Sequence, residues 1–142
     1  MTTETTTPAA ATPFAHIGGA DTIDRLVEAF YRNMDTFPQA QKIRAMHAPD
    51  LTEVKAVLKL YLAEWLGGPT HYSAQKGHPR LRMRHMGFSI GPAERDAWLL
   101  CMGAALDEAV ADTGARKAIF DNMTKLADWM RNDPRNAHDQ QH

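Results

Sequence analysis

The chain has 142 residues, 44% of them apolar, enough for one compact domain of ordinary size. A formal net charge of -1 and an isoelectric point near 6.6 exclude a global field that would draw it onto nucleic acid or an anionic membrane. A single cysteine, Cys101, excludes an internal disulfide and a four-thiolate zinc site; it fits a reducing compartment and reads as a small buried apolar residue rather than a reactive thiol.

The N-terminal run MTTETTTPAAATP has no basic residue and no continuous apolar stretch, so it lacks the regions of a secretory signal. Its threonine, alanine and proline offer little to bury, and residues 1–13 are expected to be a disordered tail. Residues 132–142 are polar, contain Pro134 and are expected to be a flexible tail. No window approaches the length of a membrane span. One domain over residues 14–131, in the cytoplasm, is the expected organisation.

Ile23, Leu26, Val27, Phe30 and Met34 recur at helical spacing, with Asp21 or Thr22 as candidate caps. Pro38 breaks this helix and leads to a short one over 39–46, carrying Ile43 and Met46. Asp50 followed by Glu53 reads as a capping box ahead of Leu51, Val54, Leu58, Tyr61, Leu62 and Trp65, and Gly67, Gly68 and Pro69 stop that helix. Gly77, Pro79 and Gly87 then bound a piece over 80–86 long enough for about two turns. Gly91-Pro92 with Glu94 opens a helix bearing Trp98, Cys101, Ala105 and Ala109 on one face. Gly114 separates it from a last helix over 115–131, with Ile119, Met123, Leu126, Ala127 and Met130 in register. No segment alternates with period two, so the fold class is all-α, with five or six helices.

Chemistry concentrates late in the chain. No acidic residue lies between Glu64 and Glu94, while Lys76, His78, Arg80, Arg82, Arg84 and His85 crowd one stretch, interleaved with Leu81, Met83 and Phe88. Such a run can be a solvated basic face, but it also suits a flat, apolar, dianionic ligand. His71, His78 and His85 are spaced by seven, yet Gly77 and Pro79 interrupt any continuous helix between them and no carboxylate stands near to complete a zinc site. Taken alone, His85 reads as a structural histidine and Trp98 as a core residue, and Tyr31 could equally be a half-buried surface tyrosine.

The segment Trp65-Leu-Gly-Gly-Pro-Thr-His-Tyr-Ser, then Gly77-His-Pro-Arg-Leu-Arg-Met-Arg-His85, then Phe88 and Glu94-Arg-Asp-Ala-Trp98-Leu, resembles the second group of truncated haemoglobins, in order, spacing and chemistry. The resemblance runs from about Phe14 to Met130 and takes in Gly18-Gly19 and Phe30-Tyr31. It implies a two-over-two helical sandwich with the proximal helix reduced to a loop and a turn or two. It further implies haem b as cofactor, His85 as the iron ligand, and a sixth position for dioxygen, carbon monoxide or nitric oxide. Tyr31 and Trp98 would face that ligand. The position of the distal histidine of ordinary globins falls on Val54, which cannot donate, and His47 falls where many members have tyrosine, making it a candidate third donor. Leu58, Leu62, Met83, Phe88, Met102 and Met123 would wall the pocket, and Arg80, Arg82, Arg84, Tyr72 and Lys76 would supply partners for the propionates.

The expected function is reversible binding of dioxygen and other diatomic ligands, in oxygen binding or transport, ligand sensing, or handling of nitric oxide or peroxide. An electron donor or reductase is an expected partner, and the chain a monomer or homodimer. Two rivals stand beside this reading. One is a haem enzyme with peroxidase-like turnover; the other is a cofactor-free helical module that docks through the basic, aromatic stretch.

Overall fold

The computed structural model describes residues 12–77 and 91–129. Among these described residues seven α-helices follow in order: α1 (Pro13–His16), α2 (Ala20–Thr36), α3 (Gln41–Ala45) after a 3-10 turn at Pro38–Ala40, α4 (Thr52–Trp65), α5 (His71–Lys76), α6 (Pro92–Ala109) and α7 (Thr113–Trp129). The all-α expectation holds. Among the described residues no helix is long and apolar enough to cross a membrane.

In α2 the stripe predicted from periodicity is the buried one: Ile23, Leu26, Val27, Phe30 and Met34 are each at most 2% exposed, and Tyr31, outside that stripe, is buried with them at 3%. The helix begins one residue before the expected cap. Gly19 is the N-cap, and the buried Thr22 hydroxyl donates to the Ile17 carbonyl at 2.6 Å. Phe37 is extended, as the residue before a proline should be, and ends the helix.

The expected capping box ahead of α4 is displaced. Asp50 lies one residue outside the N-cap Leu51, and its Oδ1 accepts the Thr52 N–H and hydroxyl at 2.9 and 2.7 Å. This is an Asx turn feeding the helix rather than a reciprocal pair with Glu53. The other end is as predicted. Gly68 N–H donates to the Ala63 carbonyl and Gly67 N–H to the Glu64 carbonyl, a Schellman stop whose φ of +91° at Gly67 suits glycine. Gly68 has a second reason to be glycine, because a Cβ there would lie 2.6 Å from Cγ of Phe14. The Phe14 N–H donates to Leu66 O, so α1 is seated directly on this turn.

α6 opens as the sequence indicates, with Gly91 as N-cap, Pro92 in the first turn and Glu94 Oε1 accepting the Gly91 N–H at 2.7 Å. α7 starts earlier than Gly114 suggested: it begins at Thr113, and Asp112 Oδ1 accepts from Gly114 and Ala115 N–H as the N-cap.

Helix packing defines two layers. α2 packs against α4 in one layer and α6 against α7 in the other, with α2 on α6 the most extensive contact between them. The buried amide of Asn33 in α2 donates to the Cys101 carbonyl of α6 at 3.0 Å, fixing their relative register. Lys55 and Lys59 of α4 clasp Glu28 of α2 at 2.9 and 3.0 Å. Among the described elements α4 packs on α2 and α5, but makes no comparable contact with α6 or α7. Its apolar residues Val54, Leu58, Tyr61 and Trp65 are accordingly only partly buried, while Leu62 is 3% exposed.

Candidate functional site

Helical spacing puts Phe30 in the core-facing stripe of α2 with Tyr31 buried next to it, while the contact of α2 with α6 brings Trp98 against the same stretch. The rings of Phe30 and Tyr31 meet edge to face at 4.9 Å between centroids, and Phe30 meets Trp98 likewise at 5.3 Å. His47, just beyond α3, meets the Tyr31 ring edge to face at 5.7 Å. Three expected distal residues, Tyr31, Trp98 and His47, are therefore joined in one aromatic chain, with Phe30 as the spacer. The sequence places Phe30 in the apolar stripe and in the Phe30-Tyr31 pair of the family resemblance; its place between two candidate donors depends on how α2 meets α6, which periodicity does not encode.

The polar atoms of this chain have distinct states. Tyr31 is 3% exposed, and burial pushes its phenol well above the ordinary tyrosine value, so it remains a neutral O–H donor. Among the described residues that hydroxyl has no hydrogen-bond partner. A buried donor without an acceptor costs about 1–3 kcal/mol, which singles out the space beside Tyr31 as a place where an acceptor belongs. His47 Nδ1 lies 2.8 Å from the Ile43 carbonyl. A carbonyl only accepts, so Nδ1 carries the proton, and donation from Nε2 as well requires the doubly protonated ring.

The apolar wall residues that are described fall into two groups. Leu62, Met102 and Met123, on α4, α6 and α7, belong to the buried core cluster, and Leu58 and Val54 pack against it from α4. Tyr72 is 2% exposed and meets Tyr61 edge to face at 5.5 Å, and Lys76 stays exposed at the end of α5. His85, Arg80, Arg82, Met83, Arg84 and Phe88 lie outside the described residues. Cys101 is fully buried, and burial pushes its thiol up to about 11, in keeping with the expectation of an unreactive core residue.

The sequence assigns Glu94 no role in the site beyond opening α6 and standing in the motif that carries the family resemblance. Glu94 is 6% exposed, and its second oxygen pairs with Lys42 of α3 at 3.0 Å. Burial alone would raise its carboxyl, but the Gly91 N–H and Lys42 outweigh that and hold it below the ordinary range.

The bacterial-like globin family matches residues 12–132. The group 2 truncated hemoglobin YjbI of Bacillus subtilis is 34% identical over 114 residues, covering 80% of this chain and 84% of that protein. Among solved structures, the group II 2-on-2 hemoglobin from Agrobacterium tumefaciens is 43% identical with a TM-score of 0.84, covering 87% of this chain and 95% of that one. The cold-adapted truncated hemoglobin from Pseudoalteromonas haloplanktis is 35% identical, also with a TM-score of 0.84, over 86% of this chain and 98% of that one. Extended likeness in both sequence and backbone, joined to the two-layer packing of α2, α4, α6 and α7, makes this chain a member of the bacterial-like globin family and of its group II, two-on-two truncated haemoglobins.

Proposed function

We propose that this chain binds haem b beside α4 and the α6–α7 pair, with His85 as the protein's iron ligand, and reversibly holds a diatomic gas against Tyr31 and Trp98. The observation that carries this reading is the buried Tyr31 hydroxyl, a neutral donor without an acceptor among the described residues, in one aromatic chain with Trp98 and His47. The named relatives are hemoglobins, which supports the cofactor. Haem would be held by His85 and the apolar residues of α4, α6 and α7, and would supply an iron able to take up dioxygen, carbon monoxide or nitric oxide.

The chain's own groups then do the discriminating. Dioxygen draws more electron density than carbon monoxide, so an O–H or indole N–H aimed at the ligand favours dioxygen. Val54 contributes only bulk. Arg80, Arg82 and Arg84, with Tyr72 and Lys76, are the proposed partners of the propionates; each solvated pair is worth on the order of 1 kcal/mol or less, so single changes speed haem loss without abolishing binding.

Reconstitution with hemin tests the reading. The wild type should take it up stoichiometrically with a strong Soret band, and His85→Ala should lose affinity and change the ferrous spectrum. Retention of wild-type affinity and spectrum by His85→Ala, with loss of both in His78→Ala, would refute the proximal assignment. Ligation needs the neutral imidazole, so acid should release haem.

A further inference from the structure

We propose that Glu94 and Lys42 form a positioning clamp that sets where His47 stands relative to Trp98, and thereby tunes how the pocket discriminates between diatomic ligands. The inference rests on the ligand-pocket reading above and adds two residues to it.

Three features of the geometry support the clamp. Glu94 is a buried carboxylate, 6% exposed, and it is doubly engaged: one oxygen takes the Gly91 N–H at 2.7 Å and the other takes Lys42 Nζ at 3.0 Å. Its location is also specific. Trp98 lies four residues along α6, on the same side as Glu94 by helical periodicity, while Lys42 is adjacent to Ile43, whose carbonyl receives the His47 Nδ1 proton. Finally, the connection closes on itself. From Trp98 one route runs through Glu94, Lys42 and Ile43 to His47, and another runs through Phe30 and Tyr31 to the same ring.

Electrostatics explain why the pair should hold its geometry. An exposed ion pair is worth little, and Lys42 by itself is 56% exposed. Glu94, however, is buried, so removing its cation leaves a desolvated carboxylate held by backbone amides alone, those of Gly91 and of Glu94 itself. The short 3-10 turn and α3 rest on both α2 and α6 and lead directly into His47, so the Lys42–Glu94 pair holds the α6 side of the segment that carries that ring.

The test uses the haem-loaded, full-length protein with Lys42→Met, Glu94→Gln, the double variant and Tyr31→Phe. Lys42→Met keeps the aliphatic stem of a side chain that is 56% exposed and leaves the Glu94–Gly91 cap of α6 in place. The expected result is a change of fivefold or more in the ratio of oxygen to carbon monoxide release rates in each single variant, with the double variant no worse than the singles. Amide hydrogen exchange over residues 41–47, measured in the carbon monoxide form, should be accelerated about tenfold. If Tyr31→Phe speeds oxygen release while Lys42→Met and Glu94→Gln leave both the release ratio and the exchange at wild-type values, the clamp is overturned and the pocket stands. A lowered melting temperature with an unchanged ratio also overturns it, because that outcome is purely structural. Unchanged release in Tyr31→Phe overturns the pocket itself and the clamp with it.

Discussion

Tyr31→Phe should act with opposite sign on the protein alone and on its ligand complex. With no diatomic ligand present, the Tyr31 hydroxyl is buried at 3% exposure and meets no acceptor among the described residues. Deleting it removes a desolvated donor and leaves the ring, which keeps its edge-to-face contacts with Phe30 and His47. The unpaired group costs about 1–3 kcal/mol, so the phenylalanine variant should be more stable by about 1 kcal/mol or more. With dioxygen bound, the same hydroxyl gains a strongly polarised acceptor, a bond worth about 1.5–3 kcal/mol, or roughly tenfold to hundredfold in release rate. Carbon monoxide release should move far less. Guanidinium unfolding of the ferrous, ligand-free protein measures the first effect, and flash photolysis with ligand replacement measures the second. A variant that is less stable by more than about 1 kcal/mol without ligand would mean that the hydroxyl already has a partner, and the argument would fail.

Other perturbations test the frame around the pocket. Gly68→Ala drives a Cβ to within 2.6 Å of Phe14 Cγ and should cost about 1–3 kcal/mol, read as a fall in melting temperature; an unchanged value would mean that α1 moves freely on its turn. Asn33→Ala removes the buried bond to the Cys101 carbonyl and should cost about 1 kcal/mol in denaturant unfolding, whereas no loss would remove this amide from the α2–α6 lock. For Cys101 the folded pKa of about 11 stands above the ordinary value of 9.0. The protonated thiol therefore favours the fold fully below pH 9, and this contribution is lost as pH rises from 9 to 11. Native protein should resist alkylation by iodoacetamide at pH 8 and become labelled only on unfolding or above pH 10, and rapid labelling at pH 8 would contradict the burial.

The helices were legible because their apolar faces repeat with the helical period and their ends carry glycine and proline. Gly67, Gly68 and Pro69 stop α4 where the sequence says they should. The starts were less legible, since an aspartate can serve as the N-cap or lie one residue outside it. Asp50 does the second and Asp112 the first, and which one applies depends on the local turn. In the site, Tyr31 and Trp98 were assigned through family resemblance; the residues alone left Tyr31 as a half-buried surface tyrosine and Trp98 as core. Phe30 between them, and Lys42 beneath Glu94, are products of the way α2 and α3 meet α6. Such long-range pairings leave no periodic trace in one sequence.

The one-sided packing of α4 has a cellular consequence. A helix held by α2 and α5, with Val54, Leu58, Tyr61 and Trp65 only partly covered by described neighbours, has less to lose by opening than α2 or α6. Any molecule that covers those side chains stabilises the folded form by mass action and closes the door to proteases and chaperones. The abundance of this globin in a cell should then follow porphyrin and iron supply as much as transcription, so that newly made chains survive in proportion to the cofactor available to them.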